Sequence, residues 1–281
     1  MFKLISGKAI AQKRQENLRL EVENLNANGV TPSLRVVLVG NSGPSEIYVR
    51  NKARRAKELG LDFNLIRFDE TVSEKELIEF IDSLNHDKTV DAILVQLPLP
   101  QHINEEKVVQ TVSPNKDVDG FSPINFGYLW QNNPNIIPST AGGIMTLLEE
   151  SDITTTAKHV VIVGRSNIVG RPLGALMLNS DATVTMAHSK TKDLKSITKQ
   201  ADILISAVGK AHFITADMVK KGATVIDVGM NRDENDRLVG DVDFDDVSSV
   251  AGAMTPVPGG VGPMTILTLM EQTIEIAKKR V

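Results

Sequence analysis

Lys52 stands where helical spacing would bury it. The segment Ser45–Gly60 reads SEIYVRNKARRAKELG, and at about 100° per residue Val49, Ala53, Ala56 and Leu59 share an arc with Tyr48. Arg50, Arg54, Lys57 and Glu58 fall on the opposite arc. Lys52 lies about 40° from Tyr48, one turn along and inside the apolar arc. Loss of hydration there favours a neutral amine, which is usable as a general base near neutral pH. A lysine snorkelling from the edge of a buried stripe has the same spacing, and the wheel does not separate the two.

Other segments bring polar groups and bare backbone. Val95-Gln96-Leu97-Pro98-Leu99-Pro100 puts a glutamine at the carboxyl end of an apolar run, the edge on which α/β proteins bind ligands. Lys116-Asp117-Val118-Asp119-Gly120-Phe121 puts two carboxylates in a turn. A structural reading stands beside each: Gln96 caps loop backbone, and Asp-x-Asp-Gly is a common turn signature. Thr255–Thr265 holds three prolines and three glycines, a stiff loop against which a flat ring could lie. It also reads as a rigid connector.

A further run suggests a nucleotide. His159-Val-Val-Ile-Val163 leads into Gly164-Arg-Ser-Asn-Ile-Val-Gly170-Arg-Pro172 and then Leu173–Leu178: strand, glycine-bounded turn, helix. That order leaves free N–H groups and a helix dipole facing an anion, although the spacing is not G-x-G-x-x-G and also fits an ordinary glycine turn. About 20 residues on, an NAD site would carry an acid for the ribose 2′-hydroxyl. Here stand His188-Ser189-Lys190-Thr191-Lys192. With Arg165 as a planar cation, the pattern favours NADP over NAD, unless the lysines are only solvated loop residues.

These groups need a scaffold, and the chain supplies a regular one. Short β-branched runs recur at Leu34–Val39, Phe63–Phe68, Ala92–Val95, His159–Val163, Thr183–Ala187, Ile203–Ala207 and Thr224–Val228, mostly separated by helical spacing. Alternation of this kind means parallel sheets, and runs apolar nearly throughout suggest strands covered on both faces. The long interval after Val95, with SPNKDVDG and QNNPNIIPST, marks a domain boundary. The expected fold class is therefore α/β: two doubly wound α/β domains with an interdomain cleft, the second a Rossmann-type NADP-binding domain. After Gly262 an amphipathic segment places Ile266, Leu267, Met270, Ile274 and Ala277 on one face, with Pro263 in its first turn, and it could return to the first domain.

Composition narrows the class. The chain has 281 residues, 31 Lys+Arg against 35 Asp+Glu, and 41% hydrophobic residues. That excludes a nucleic-acid tail, a polybasic membrane anchor and a disordered or fibrous chain. No cysteine is present, which removes disulfides, thiolate metal sites and cysteine nucleophiles and makes the cytoplasm the expected compartment. No His-x-x-x-His spacing occurs, so no catalytic metal is expected. Lys3, Lys8, Lys13 and Arg14 interrupt the N-terminal apolar stretches, so neither a secretory segment nor a membrane span is expected.

Taken together, Tyr48-Val-Arg-Asn-Lys52, Val95–Pro100, Lys116–Phe121, Gly164–Pro172, His188–Thr191 and Pro256-Val-Pro-Gly-Gly-Val-Gly-Pro-Met-Thr265 resemble, in family order, the bifunctional methylenetetrahydrofolate dehydrogenase/methenyltetrahydrofolate cyclohydrolases. The resemblance spans nearly the whole chain. It implies oxidation of 5,10-methylenetetrahydrofolate with NADP and hydrolysis of the methenyl product to 10-formyltetrahydrofolate, in a homodimer. It implies a folate-binding catalytic domain over 1–120, completed by a C-terminal helix 264–281, and a Rossmann-type NADP-binding domain over 138–258. Lys52 corresponds to the catalytic lysine, Gln96 to its hydrogen-bond partner, Tyr48 to the aromatic residue beside the folate and Asp119 to the carboxylate holding the pterin. Leu97, Pro98, Pro258, Gly259, Gly260 and Val261 complete the folate set. Gly164, Arg165, Ser166, Ile168, Ser189 and Thr140 form the cofactor set, with Arg165 and Ser189 meeting the 2′-phosphate.

Two departures from the family pattern bear on loop geometry: Pro138-Ser139-Thr140-Ala141 replaces Pro-Cys-Thr-Pro, and Ala157 stands where glycine is usual. The alternatives are another two-domain NADP dehydrogenase acting on a small acid, with Lys52 polarising a carbonyl, or a non-catalytic module that senses NADP. A small acid has no need of the long proline-glycine wall, and turnover of NADP separates an enzyme from a sensor.

Overall fold

The β-branched runs become strands close to where their pattern places them. The computed structural model describes residues 2–40 and 43–280. In chain order the elements are β1 (Lys3–Leu4), α1 (Gly7–Ala27), β2 (Ser33–Val39), α2 (Gly43–Leu59), β3 (Asp62–Phe68), α3 (Glu74–His86), β4 (Ala92–Val95), α4 (Glu105–Thr111), α5 (Pro123–Trp130) and α6 (Ser139–Glu149). They continue with β5 (His159–Val163), α7 (Gly170–Asn179), β6 (Thr183–Ala187), α8 (Leu194–Thr198), β7 (Ile203–Ser206), β8 (Thr224–Asp227), β9 (Asn231–Arg232), β10 (Leu238–Val239), α9 (Phe244–Ser248), β11 (Ala253–Met254) and α10 (Val261–Lys278). The chain forms two units. The first comprises Lys13–Tyr128, Pro134–Ser139 and Ile266–Val281, and the second Met1–Gln12, Leu129–Asn133 and Thr140–Thr265.

In the first unit β2, β3 and β4 form a parallel sheet in the order β3-β2-β4. Central β2 and β4 are buried nearly throughout, but β3 is alternately exposed. Burial on both faces, expected for every run, therefore fails at β3; the other edge strand, β4, stays buried, and on its free side Ile93 N donates to Lys116 O at 2.8 Å. Helix α3 starts where the Ser73 hydroxyl accepts from Glu76 N at 3.2 Å, a cap contributing about 1 kcal/mol. Leu77, Ile81 and Leu84 then repeat at helical spacing and pack with Val37, Val39, Ile93 and Val95. Burial of each such side chain contributes about 1.5–3 kcal/mol.

Helix α2 buries Val49, Ala56 and Leu59 and exposes Arg50, Arg54, Lys57 and Glu58, as the wheel requires. It stops at Gly60, whose φ is +81°. There Gly60 N donates to Lys57 O and Leu61 N to Ala56 O, the paired closure that favours glycine. Helix α10 buries Leu267, Met270, Ile274 and Ala277, whereas Ile266, expected on the same face, is only half-buried.

The second unit carries a six-stranded parallel sheet in the order β1-β11-β8-β7-β5-β6. Its core joins Val161, Val163, Leu204, Val225, Val242 and Met254. Strands β1 and β11 were not expected: two residues carry no periodicity, and only the pairing of Lys3 with Ala253 and Leu4 with Met254 defines them. The chain places β6 on one side of β5 and then crosses to β7 on the other. Strand order thus reverses between β5 and β7, which is where open α/β sheets bind ligands at their carboxyl edge. Among the described residues no helix is long and apolar enough to cross a membrane.

Candidate active site

Lys52 is 8% exposed, and its Nζ donates to Gln96 Oε1 at 3.1 Å. The two come from different elements: Lys52 from the buried arc of α2, Gln96 from the residue after β4. Gln96 is itself fixed, since its backbone N donates to Val37 O at 2.9 Å and its Nε2 to Leu97 O at 2.9 Å. That leaves Oε1 facing the amine. Burial lowers the Lys52 pKa, and the nearby Asp119 carboxylate partly restores it. Burial likewise raises the Asp119 carboxyl, and the Lys52 cation opposes that rise. Neither charge is well hydrated: burial favours the neutral form of each group, and the electrostatic attraction between the two opposes it.

Tyr48 is half-buried one turn before Lys52, and burial raises its phenol. Pro98 is exposed beside Gln96 and lines a cavity of about 690 Å³ at the carboxyl edge of the three-stranded sheet, together with Gly40, Phe68 and Leu99. The structure thus brings Lys52, Gln96 and Asp119 together, with Tyr48, Leu97 and Pro98 flanking them in sequence.

The loop carrying Asp119 is held by residues that sequence reasoning did not assign. Asp117, 4% exposed, accepts from Ser122 N at 2.8 Å and Asn125 Nδ2 at 3.0 Å. Its carboxyl is pushed up to about 6, chiefly by burial. Gln272 of α10 donates through Nε2 to Val118 O at 3.1 Å, and its Oε1 accepts from Ile137 N at 2.7 Å. Gly120, at φ +68°, leaves room that a Cβ would take from Pro138 N, 3.0 Å away. One signal for Gln272 was present: a polar residue between apolar positions of α10.

In the second unit the glycine-bounded turn has steric causes. Gly164 has φ +136°, and a Cβ there would lie 2.4 Å from Ala207 O; at Gly170 it would lie 2.3 Å from Gly164 O. Ser166 Oγ accepts from Val169 N at 3.2 Å and Gly170 N at 3.4 Å, shaping the entry to α7. Arg165, Ile168, Ser189, Lys190 and Lys192 are exposed. Among the described residues no ion pair engages Arg165, Lys190 or Lys192, and no acid ends β6. This donor set fits the additional phosphate of NADP. Thr140 is half-buried in the first turn of α6 and accepts from Thr265 Oγ1 at 3.3 Å; among the described residues no hydrogen bond joins it to the 164–170 turn.

The proline-glycine loop uses its bare backbone for packing. A Cβ on Gly7 would lie 1.9 Å from Gly260 O, and one on Gly260 would lie 2.5 Å from Pro256 O. Gly260 and Val261 are buried, Gly259 is half-buried and Pro258 is exposed. The glycine content therefore has a structural cause within the chain as well as any use toward a ligand.

A parallel sheet whose strand order reverses behind a glycine turn is the architecture of nicotinamide-nucleotide enzymes, and with its second α/β unit this chain falls in the two-domain class of them. Residues 5–119 match the tetrahydrofolate dehydrogenase/cyclohydrolase catalytic domain, and residues 138–281 match the NAD(P)-binding domain of the same description. The chain belongs to the tetrahydrofolate dehydrogenase/cyclohydrolase family. It is 55% identical over 277 residues to the bifunctional protein FolD of Lactococcus lactis subsp. cremoris, covering 99% of this chain and 97% of the relative. Identity to the FolD of Ligilactobacillus salivarius is 56% over 278 residues, with 99% and 98% covered. The solved structure of the Campylobacter jejuni bifunctional enzyme FolD superposes with a TM-score of 0.99 at 45% identity, covering 100% of both chains. That of Trypanosoma brucei FolD, complexed with NADP and an inhibitor, gives 0.95 at 37% identity, covering 99% and 97%.

Proposed function

We propose that the protein oxidises 5,10-methylenetetrahydrofolate to 5,10-methenyltetrahydrofolate with NADP and then hydrolyses the methenyl product to 10-formyltetrahydrofolate, in one-carbon metabolism. The observation that carries this reading is the buried Lys52 amine held by Gln96 in a chain of this family. The names of the bifunctional relatives support it, and so does the NADP complex of the trypanosome homologue.

NADP, when bound, accepts the hydride that leaves the methylene carbon. Arg165 and Ser189 meet its 2′-phosphate, while Gly164, Ser166, Ile168 and Thr140 line its site. Tyr48 packs beside the folate, Asp119 holds the pterin, and Leu97, Pro98, Pro258, Gly259, Gly260 and Val261 bound the same substrate. Oxidation draws mainly on placing the two reactants together. Hydrolysis asks more of the side chains. Neutral Lys52 takes a proton from water as the water oxygen bonds to the cationic methenyl carbon. The Lys52 ammonium then returns that proton to N5 as the carbon–N5 bond breaks, and the hydroxyl proton leaves to solvent as the formyl group forms. Gln96 Oε1 keeps the amine aimed through the cycle.

The domain assignment that accompanies this reading gives folate to 1–120 with helix 264–281, and NADP to 138–258. A cytoplasmic homodimer completes it, and light scattering tests the dimer. The activity is tested by supplying 5,10-methylenetetrahydrofolate and NADP, following NADPH, and then identifying the folate product. NADPH followed by 10-formyltetrahydrofolate is expected. An inert mixture, or reduction of NADP only with a small hydroxy acid, would overturn the reading.

A further inference from the structure

Two buried aspartates at the carboxyl edge of the six-stranded sheet have no part in the chemistry above. Asp241 is 0% exposed and Asp227 2% exposed. Asp241 Oδ2 accepts from Val208 N at 2.7 Å, Gly209 N at 3.3 Å and Ser206 Oγ at 3.2 Å. Its Oδ1 accepts from Lys210 N at 2.9 Å and Asn231 Nδ2 at 2.9 Å. Asp227 in turn accepts from Asp241 N at 2.9 Å, Val242 N at 2.9 Å and Gly229 N at 2.8 Å. Successive backbone N–H groups converging on one point form an anion cradle. Here the anion is the protein's own.

The loop so held lies against the glycine turn read above as the NADP site. Residues 207–210 follow β7, the glycine turn follows β5, and strand order reverses between those two strands. The two loops meet, because a Cβ on Gly164 would lie 2.4 Å from Ala207 O. The brace tolerates no side chain at its own glycines: a Cβ on Gly229 would lie 2.3 Å from Asp241 N, and one on Gly240 would lie 1.8 Å from Asp227 Oδ2.

We propose that Asp241, oriented by Asp227, is a positioning residue for NADP: it fixes the backbone of Val208–Lys210 as the second wall of the crevice opposite the Gly164 turn. The inference rests on the reading of that turn as the NADP site. It acts on one of the two activities, since hydrolysis of the methenyl substrate needs no nucleotide.

The test is Asp241→Asn, which keeps the size but removes the charge. Its dissociation constant for NADP is expected to rise about ten- to hundredfold, the loss of one or two charge-assisted hydrogen bonds. Hydrolysis of methenyltetrahydrofolate without NADP, on the same preparation, should hold within about twofold of the parent. Parent-like NADP affinity, or equal loss of both activities, overturns the proposal. If Asp241→Asn does not fold, Ser206→Ala combined with Asn231→Ala removes two of the five bonds to Asp241, and unchanged NADP affinity in that variant is equally fatal. Gly164→Ala tests the underlying reading separately: should it bind NADP like the parent, the turn is not the nucleotide site; should it lose NADP while Asp241→Asn does not, only the role of Asp241 falls.

Discussion

The Lys52 amine donates to Gln96 Oε1 across 3.1 Å from a residue 44 positions away in the chain. A neutral amide as partner matters. A carboxylate in its place would add to the pull of Asp119 toward the ammonium form, whereas an amide orients the amine without favouring either protonation state by charge.

Gln96→Glu should accordingly raise the Lys52 pKa. Because only the unprotonated amine accepts a proton from water, the ascending limb of the hydrolysis pH profile should move to higher pH by about one unit or more. Profiles of kcat for methenyltetrahydrofolate hydrolysis, parent against variant, check this; superimposable limbs would mean that the pair does not set the base.

Lys52→Met should separate the two activities. Loss of a general base costs about 10²- to 10⁴-fold in hydrolysis, while hydride transfer, driven mainly by placement, should fall less. Steady-state assays of both reactions on one preparation decide it, and equal activity in mutant and parent removes Lys52 from the mechanism.

Arg165→Ala should weaken NADP binding about tenfold or more by removing a planar cation from the 2′-phosphate. NAD, which lacks that phosphate, should bind within about twofold of the parent. Titration with both nucleotides checks the pair, and parallel losses would place Arg165 elsewhere on the cofactor.

Asp117 couples the loop that carries Asp119 to pH. Its folded pKa of about 6 lies above that of the unfolded chain, so the folded protein binds the extra proton. The resulting stabilisation is complete below about pH 4 and is lost as pH rises through about 6, to a total of about 2–3 kcal/mol. Urea unfolding from pH 4 to 7.5 should show the parent losing that much relative to Asp117→Asn. Parallel curves would show that Asp117 does not titrate in this range.

Ala157 has φ +59°, a left-handed conformation that glycine adopts without strain. Ala157→Gly should relieve about 1–2 kcal/mol of backbone strain and lose about 0.4–1 kcal/mol to unfolded-chain entropy. A small rise in melting temperature is expected, and a fall would contradict the strain.

Much of this protein is local and therefore written in the sequence. Strands such as Ala92–Val95 and His159–Val163 show as β-branched runs because their side chains have few other places to go than a covered sheet. The buried arc of α2 shows because helical period and apolarity coincide there, and that alone picked out Lys52 as an exception. Whether Lys52 was a base or a snorkelling cation was not local. Only folding brings the end of β4 against α2, so the Gln96 amide meets the amine and the Asp119 loop comes within electrostatic reach. The same holds for β1 and β11, two-residue strands created by each other's hydrogen bonds, and for Asp241, which as a sequence letter is one more aspartate in a turn. Five donors from Ser206 to Asn231 converge on it because parallel strands deliver their carboxyl ends to one edge, and no short window of sequence contains that edge.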